Sequence, residues 1–290
     1  MKYQSNIGIL IVMYNPNLDT ITRIEQLASC SNGVIVDNSI IRNFDTDIVG
    51  KMLYIPLCKN TGIAHAQSIG IQELKKYGFE YVVFFDQDSE VVADYIVGIV
   101  DEYKRISQLH PNLFLLGPRV YDKTNGEEYH SVIHKEAKAD KEFIIKREII
   151  SSGSCASLRM IDKVGMLLDE MFIDFVDFEW CWRAKAKGFI CGITENVALP
   201  HKVGNRELKL LHGYKVIISA PFRYYYQYRN HLWLMRKAYV PRQWILNTGI
   251  KHLIRLFYFP FCIKGWKDLE KYMLKGICDG ITRKNNYETE

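Results

Sequence analysis

Five short apolar runs, separated by stretches of helical periodicity, restrict this 290-residue chain to an α/β sheet. Residues 7–13, 33–36, 52–55, 81–85 and 113–116 each have the length and apolar content of a buried strand, and polar residues bound them. Between the first two runs, apolar residues at 18, 21, 24, 27 and 28 mark an amphipathic helix. Small residues after Asn60-Thr61-Gly62 predict a helix to about Tyr77, with Gly78 as its stop. Residues 91–109 read as another helix, 175–187 as one closed by Gly188, and 189–197 as a strand. Strand alternating with helix at this spacing implies a mostly parallel sheet.

The run at 81–85 ends in Asp86-Gln87-Asp88-Ser89. Carboxylates at a strand's carboxyl end stand where open α/β sheets bind ligands. Asp86 and Asp88 are two apart, so a continuing strand points both the same way. Converging carboxylates repel unless a cation or proton lies between them, and Mg²⁺ or Mn²⁺ shared with phosphate oxygens meets that need. The alternative is a strand followed by a capped helix. Asp37-Asn38-Ser39 ends the second run, where an Asx turn is the ordinary role. Ser151-Ser-Gly153-Ser-Cys155 is a small, polar stretch suited to bringing backbone near a ligand.

Charge divides the chain. Residues 201–290 carry 17 Lys and Arg against 6 Asp and Glu, a net +11, which leaves −6 for the first two hundred. A basic tail on an acidic body calls for an anionic partner. Residues 256–263 are apolar and flanked by Lys251, Arg255, Lys264 and Lys267, a pattern suited to a membrane interface. Tyrosines interleaved with arginines at 223–229 superficially suit nucleic acid, but no nucleic-acid-binding signature accompanies them. Seven cysteines include no C-x-x-C pair, as expected of reduced thiols in a cytoplasmic protein. The run at 7–13 is too short for a secretory signal, and no apolar run is long enough to span a bilayer. No G-x-G-x-x-G follows the first strand and no Walker loop is present. Glu90 in the place of Thr or Val weakens a haloacid-dehalogenase reading of the D-x-D.

Several motifs stand in order along the chain: Val12-Met-Tyr-Asn-Pro16, Val36-Asp-Asn-Ser39, Asn60-Thr-Gly-Ile-Ala-His-Ala-Gln67 and Asp86-Gln-Asp-Ser89. Gly117-Pro-Arg119, Ile150-Ser-Ser-Gly-Ser154, Phe172-Ile-Asp-Phe-Val-Asp-Phe-Glu-Trp180 with Arg183, His201-Lys-Val-Gly204 and Arg223-Tyr-Tyr-Tyr-Gln-Tyr-Arg-Asn230 follow. Together and in this order they resemble family 2 glycosyltransferases of the GT-A fold, and within them bacterial rhamnosyltransferases of O-antigen and surface-polysaccharide assembly.

The resemblance implies a GT-A domain over 1–200, with its nucleotide-sugar part at 1–118 and its acceptor and catalytic part at 119–200. A basic, aromatic helical region at 201–290 follows it. Tyr14, Asn15, Asp37, Asn60, Gly62, Asp86, Asp88 and Gly153 are the expected donor-binding residues, with Asp37 accepting from the pyrimidine N3–H. Asp88 and Asp86 are the expected metal ligands, and His201 stands at the place of a third. Matching the family's Arg to Arg183 makes Asp177 the catalytic base and puts Val176 where relatives carry Glu. Glu179 and Arg183, four apart on a helix, are expected to pair.

The implied reaction is inverting transfer of L-rhamnose from dTDP-L-rhamnose to a glycan hydroxyl, the acceptor being polyprenyl-diphosphate-linked at the cytoplasmic membrane face. Another UDP- or dTDP-sugar, or binding without catalysis, are the competing readings. A homo-oligomer is left open.

Overall fold

The computed structural model describes residues 6–89, 93–122, 137–138, 142–201, 207–209, 215–263 and 265–282. Strand β1 (Ile7–Met13) leads to α1 (Leu18–Cys30), which Asn17 caps by accepting the Thr20 N–H. β2 (Gly33–Asp37), β3 (Ile48–Val49) and β4 (Met52–Pro56) precede α2 (Ile63–Lys76), and Gly78 ends that helix at φ +80°. β5 (Tyr81–Asp86), α3 (Ala93–Leu109), β6 (Leu113–Asp122), β7 (Ala137–Lys138) and β8 (Phe143–Lys146) follow. Next come β9 (Cys155–Ser157), α4 (Leu158–Val164), a 3₁₀ turn (Asp169–Met171), α5 (Val176–Ala186) and β10 (Ile190–His201). A small ribbon of β11 (Glu207–Lys209) and β12 (Lys215–Ile217) leads to α6 (Pro221–Leu234), α7 (Arg242–Cys262) and α8 (Trp266–Thr282).

The main sheet runs β3-β4-β2-β1-β5-β9-β6-β10-β8-β7. Neighbours β4, β2, β1 and β5 are parallel, as the strand–helix alternation predicts, and so are β6 and β10. Beyond β5 the sheet is mixed rather than mostly parallel. β9 runs antiparallel between β5 and β6, with Cys155 opposite Val83 on one side and Leu116 on the other. Its direction has a functional consequence: β9 begins at the end of the sheet where β5 finishes, so the turn at 151–154 lands beside Asp86.

Period-two alternation divides the core between the two sheet faces. Leu10, Val34, Val36, Val82 and Phe84 face α2 and α5, where Trp180 and Trp182 are fully buried. Ile9, Ile11, Met13, Ile35, Val83 and Phe85 face the opposite way, toward Ile24 of α1 and Ile99 of α3. Tyr224, Tyr228, Phe259, Leu269 and Met273 form a third cluster joining α6, α7 and α8. All seven cysteines are unpaired.

Candidate active site

The strand β5 ends at Asp86, and a turn follows in which the Ser89 N–H donates to the Asp86 carbonyl at 3.1 Å. The alternation therefore does not carry through to Asp88. Asp86 is half-buried, and Asp88 is exposed on the turn. Gln87 has a role that its neutrality did not suggest: its Oε1 accepts the Tyr14 N–H at 2.7 Å, tying the exits of β1 and β5 together.

The serine-rich turn supports this edge from within the protein. Ser154 donates both its N–H (2.8 Å) and its hydroxyl (2.6 Å) to the Ser151 carbonyl. Ser152 Oγ accepts the Asp86 N–H at 3.4 Å and lies 3.2 Å from Ser89 Oγ. Gly153 donates its N–H to the Phe84 carbonyl at 2.7 Å. It is buried at φ +76°, where an added Cβ would lie 2.6 Å from Leu199 and 2.9 Å from the Tyr95 hydroxyl. Its carbonyl accepts from Tyr95 Oη at 2.6 Å.

Asp177 stands in the first turn of α5, directed at the same edge. Burial and then the charge of Asp86 push its carboxyl up to about 6, against hydrogen bonds from the Ser151 N–H and hydroxyl that hold it down. The Ser151 hydroxyl in turn accepts from Gln67 Nε2 at 3.2 Å. Gln67 is buried, so here it supports the Asp177 carboxylate through Ser151. Ser151→Ala is expected to raise the acid limb of the kcat/KM–pH profile by about one pH unit, since loss of a hydrogen bond to the ionised form raises a carboxyl pKa. A limb that stays in place would detach Ser151 from the base.

The neighbouring acids are already neutralised. Glu179 is fully buried, takes Arg183 Nε and Nη2 at 2.7 and 2.9 Å, and accepts from the Tyr239 hydroxyl at 2.7 Å. This is the expected i, i+4 pair, and Arg183 also holds the Val164 and Met166 carbonyls. Removing the cation from such a buried pair strands a charge. Arg183→Met is accordingly expected to lower stability by about 3–5 kcal/mol in urea unfolding. A loss below about 1 kcal/mol would contradict that role. Asp174 binds Arg223 through both carboxylate oxygens. Val176 is buried in the core, so the position where relatives carry Glu faces inward here. Trp180 and Trp182 donate to the Gly165 carbonyl and to Glu148 from within the core.

The segment before α5 is strained, and α6 restrains it. Phe172, Asp174 and Phe175 all have φ between +64° and +66°, which costs non-glycine residues about 1–2 kcal/mol each. Asn230, fully buried, donates to the carbonyls of Met171, Ile173 and Asp174 at 2.9–3.1 Å. Arg229 reaches the Glu170 and Met171 carbonyls, and the Tyr226 ring stacks on Phe172 at 4.5 Å. The 223–230 motif thus fixes the approach to Asp177. Sequence reasoning missed this, though polar Arg and Asn among aromatics was a usable signal.

On the donor side, Asp37 is fully buried and its carboxylate is engaged. Oδ1 accepts the Ser39 N–H at 3.0 Å in an Asx turn; Oδ2 accepts from the Tyr54 hydroxyl at 2.5 Å and from the Asn43 N–H and Nδ2. Through these bonds Asp37 organises the 38–43 loop. Asn38 joins this loop to the next: its Oδ1 accepts the Thr61 N–H at 2.7 Å and its Nδ2 donates to Asn60 Oδ1 at 3.0 Å. Asn15, at φ +45°, donates its N–H to Ser39 Oγ. Gly62, at φ +85°, makes room for Phe172, whose Cα would lie 2.6 Å from an added Cβ, so its close approach is to the chain itself. Tyr14 and Asn60 do come together, in a cavity of about 370 Å³ that Phe172, Phe222, Tyr226 and Lys275 help to enclose.

Among the described residues, no group of three or more His, Cys, Asp or Glu could hold a metal ion. The His201 backbone closes β10, and its side chain lies outside the described residues. Asp86 and Asp88 remain as hard oxygen donors, which fits a cation that draws its other ligands from phosphate and water.

A parallel half-sheet with carboxylates at its carboxyl end, continued by a mixed sheet, is the architecture of a GT-A glycosyltransferase. Solved structures share the fold. The chain superposes with TM-score 0.53 on GalNAc-T7 crystallised with UDP, GalNAc and Mn²⁺, at 13% identity, covering 93% of this chain and 54% of that one. It superposes with TM-score 0.54 on residues 1–349 of S. aureus TarS in complex with UDP-GlcNAc, at 11% identity over 95% of this chain and 81% of that one. No family model matches the chain. A dTDP-rhamnosyl transferase of Shigella flexneri, RfbF, is 32% identical over an alignment of 295 positions that covers 96% of this chain and 96% of that one. The chain belongs to the family 2, GT-A glycosyltransferases, with the bacterial rhamnosyltransferases.

Proposed function

We propose that this glycosyltransferase moves L-rhamnose from dTDP-L-rhamnose to a hydroxyl of a growing, lipid-linked bacterial surface glycan, with inversion at the anomeric carbon. The observation that carries the chemistry is Asp177, a raised carboxyl facing Asp86 while Asp174 and Glu179 are held by arginines. A donor-binding protein without catalysis has no use for such a group. The relative's dTDP-rhamnosyl activity supports the choice of donor.

Raised to about 6, the Asp177 carboxyl is mostly ionised at pH 7 and still basic enough to accept a proton in flight. The acceptor hydroxyl passes its proton to an Asp177 oxygen as its own oxygen bonds to the anomeric carbon. The bond from that carbon to the diphosphate breaks on the opposite face, and the nucleoside diphosphate departs with the electron pair. Asp88 and Asp86 would hold Mg²⁺ or Mn²⁺, which neutralises charge on the departing diphosphate. Tyr14, Asn15 and Asn60 would contact the nucleotide from the body (1–200), and Lys275 and the aromatics of 201–290 would enclose it. A base contact by Asp37 requires the loop at 38–43 to open, and His201 is a further ligand only if its side chain turns to the ion.

The deciding experiment is a donor screen with purified protein, reading nucleoside diphosphate release. Preference for dTDP-L-rhamnose is the expected result. Preference for another UDP- or dTDP-sugar replaces the donor assignment and leaves the reaction class standing, whereas release from no donor favours a binding protein.

A further inference from the structure

Helix α7 is buried along one side only, through Trp244, His252 and Phe259. On the other side Leu246, Ile250, Leu253, Ile254, Phe257 and Phe261 are all more than half exposed, Phe257 at 74% and Phe261 at 88%. Their spacing by threes and fours makes one continuous stripe, roughly 22 Å long at 1.5 Å per residue. Exposed leucine or isoleucine scattered singly needs no explanation, but a contiguous stripe ending in two phenylalanines marks a contact surface. It extends well N-terminal to the apolar run at 256–263 that sequence alone singles out.

Charge identifies the occupant. The helix contains no Asp or Glu, and Arg242 and Lys251 are exposed along it. The following helix balances Lys267, Lys271 and Lys275 with Asp268, Glu270 and Asp279, so the excess of positive charge lies on α7 itself. Two copies of α7 packed face to face would set cations against cations with no carboxylate on either helix to pair them. An anionic lipid surface supplies both the missing negative charge and a place for the phenylalanines. No helix among the described residues is long and apolar enough to cross a membrane, so the helix would lie in the interface plane.

We propose that α7 is an interfacial anchor: its stripe from Leu246 to Phe261 sinks among acyl chains, and Arg242 and Lys251 meet anionic headgroups. This rests on the helix itself and stands whichever donor sugar is used.

Flotation of the full chain with vesicles tests it. Vesicles of phosphatidylethanolamine with about one quarter phosphatidylglycerol are expected to carry the protein upward, and phosphatidylcholine vesicles to leave it behind. Phe257→Ser with Phe261→Ser is expected to lower the partition coefficient at least about tenfold. Arg242→Glu with Lys251→Glu is expected to do the same on the anionic vesicles. Both variants change exposed residues, so their thermal midpoints should match the parent and show that they fold. A wild-type chain that stays below the anionic vesicles overturns the proposal, as does equal flotation with neutral ones. A wild-type dimer in light scattering that the serine variant turns into monomer would give the face to a second copy instead.

Discussion

Asp177→Asn is expected to lower sugar transfer by about 10³-fold while leaving donor binding intact, since removal of a general base typically costs about 10²–10⁴. The same substitution should make the protein more stable at neutral pH. The Asp177 carboxyl is raised in the fold, from 3.8 to about 6, first by burial and next by Asp86. A raised acid favours the folded state fully below its unfolded pKa, near 4, and that contribution is lost as pH rises through about 6. At pH 7 the folded protein therefore carries a carboxylate that it would rather not ionise. Asparagine relieves it, by about 1–3 kcal/mol once the lost Ser151 bonds are set against the gain. Urea unfolding at pH 3 and pH 7.5, on either side of the window between about 4 and about 6, should show the advantage of the variant only at the higher pH. Retained turnover would move the base elsewhere, and no stability gain at pH 7.5 would mean that the carboxyl is not raised.

The parts of the fold governed by local pattern were legible from residues alone. Strands β1, β2, β4 and β5 and the helices between them follow from apolar runs and 3.6-residue spacing. The pairing of Glu179 with Arg183 follows from helix geometry. What escaped was set by contacts distant in sequence. β9 is three residues long, too short for any period to register, yet its antiparallel insertion places the Ser151 turn under Asp86 and Asp177. Gly62 and Gly153 read as openings for a ligand, because a glycine's freedom is visible in sequence but the neighbour that fills its space is not. Phe172 occupies the first, and Leu199 and Tyr95 the second. Asp37 illustrates the same limit. Its Asx turn was foreseeable from Ser39, whereas the hydroxyl of Tyr54, seventeen residues on, was not. Asn230 is the clearest case: a side chain fifty-six residues from Asp174 holds that carbonyl and two others, and so keeps three left-handed residues in place ahead of Asp177.

Chelation is expected to remove transfer activity, and Mg²⁺ or Mn²⁺ to restore it. The ion's place at Asp86 and Asp88 can be tested apart from turnover. Mn²⁺ binding, read by electron paramagnetic resonance with nucleoside diphosphate present, should weaken at least about tenfold in Asp88→Asn, and transfer should fall by about 10²-fold or more. Asp86→Asn should do something different. Asp86 is the like charge that helps to raise Asp177, so its neutralisation should lower the pKa of Asp177 toward the ordinary carboxylate range. The acid limb of kcat/KM should move to lower pH while the rate falls. The two carboxylates therefore separate by signature: Asp88→Asn loses the ion and its positive field but keeps the Asp86 charge, so the limb does not move to lower pH, whereas Asp86→Asn moves it there. Serine at 152 sharpens the distinction, because its hydroxyl holds the Asp86 N–H and touches Ser89, so Ser152→Ala should disturb both without removing either charge. Full turnover in chelator would sink the metal reading of both residues and leave Asp86 with a single task, setting the proton affinity of Asp177.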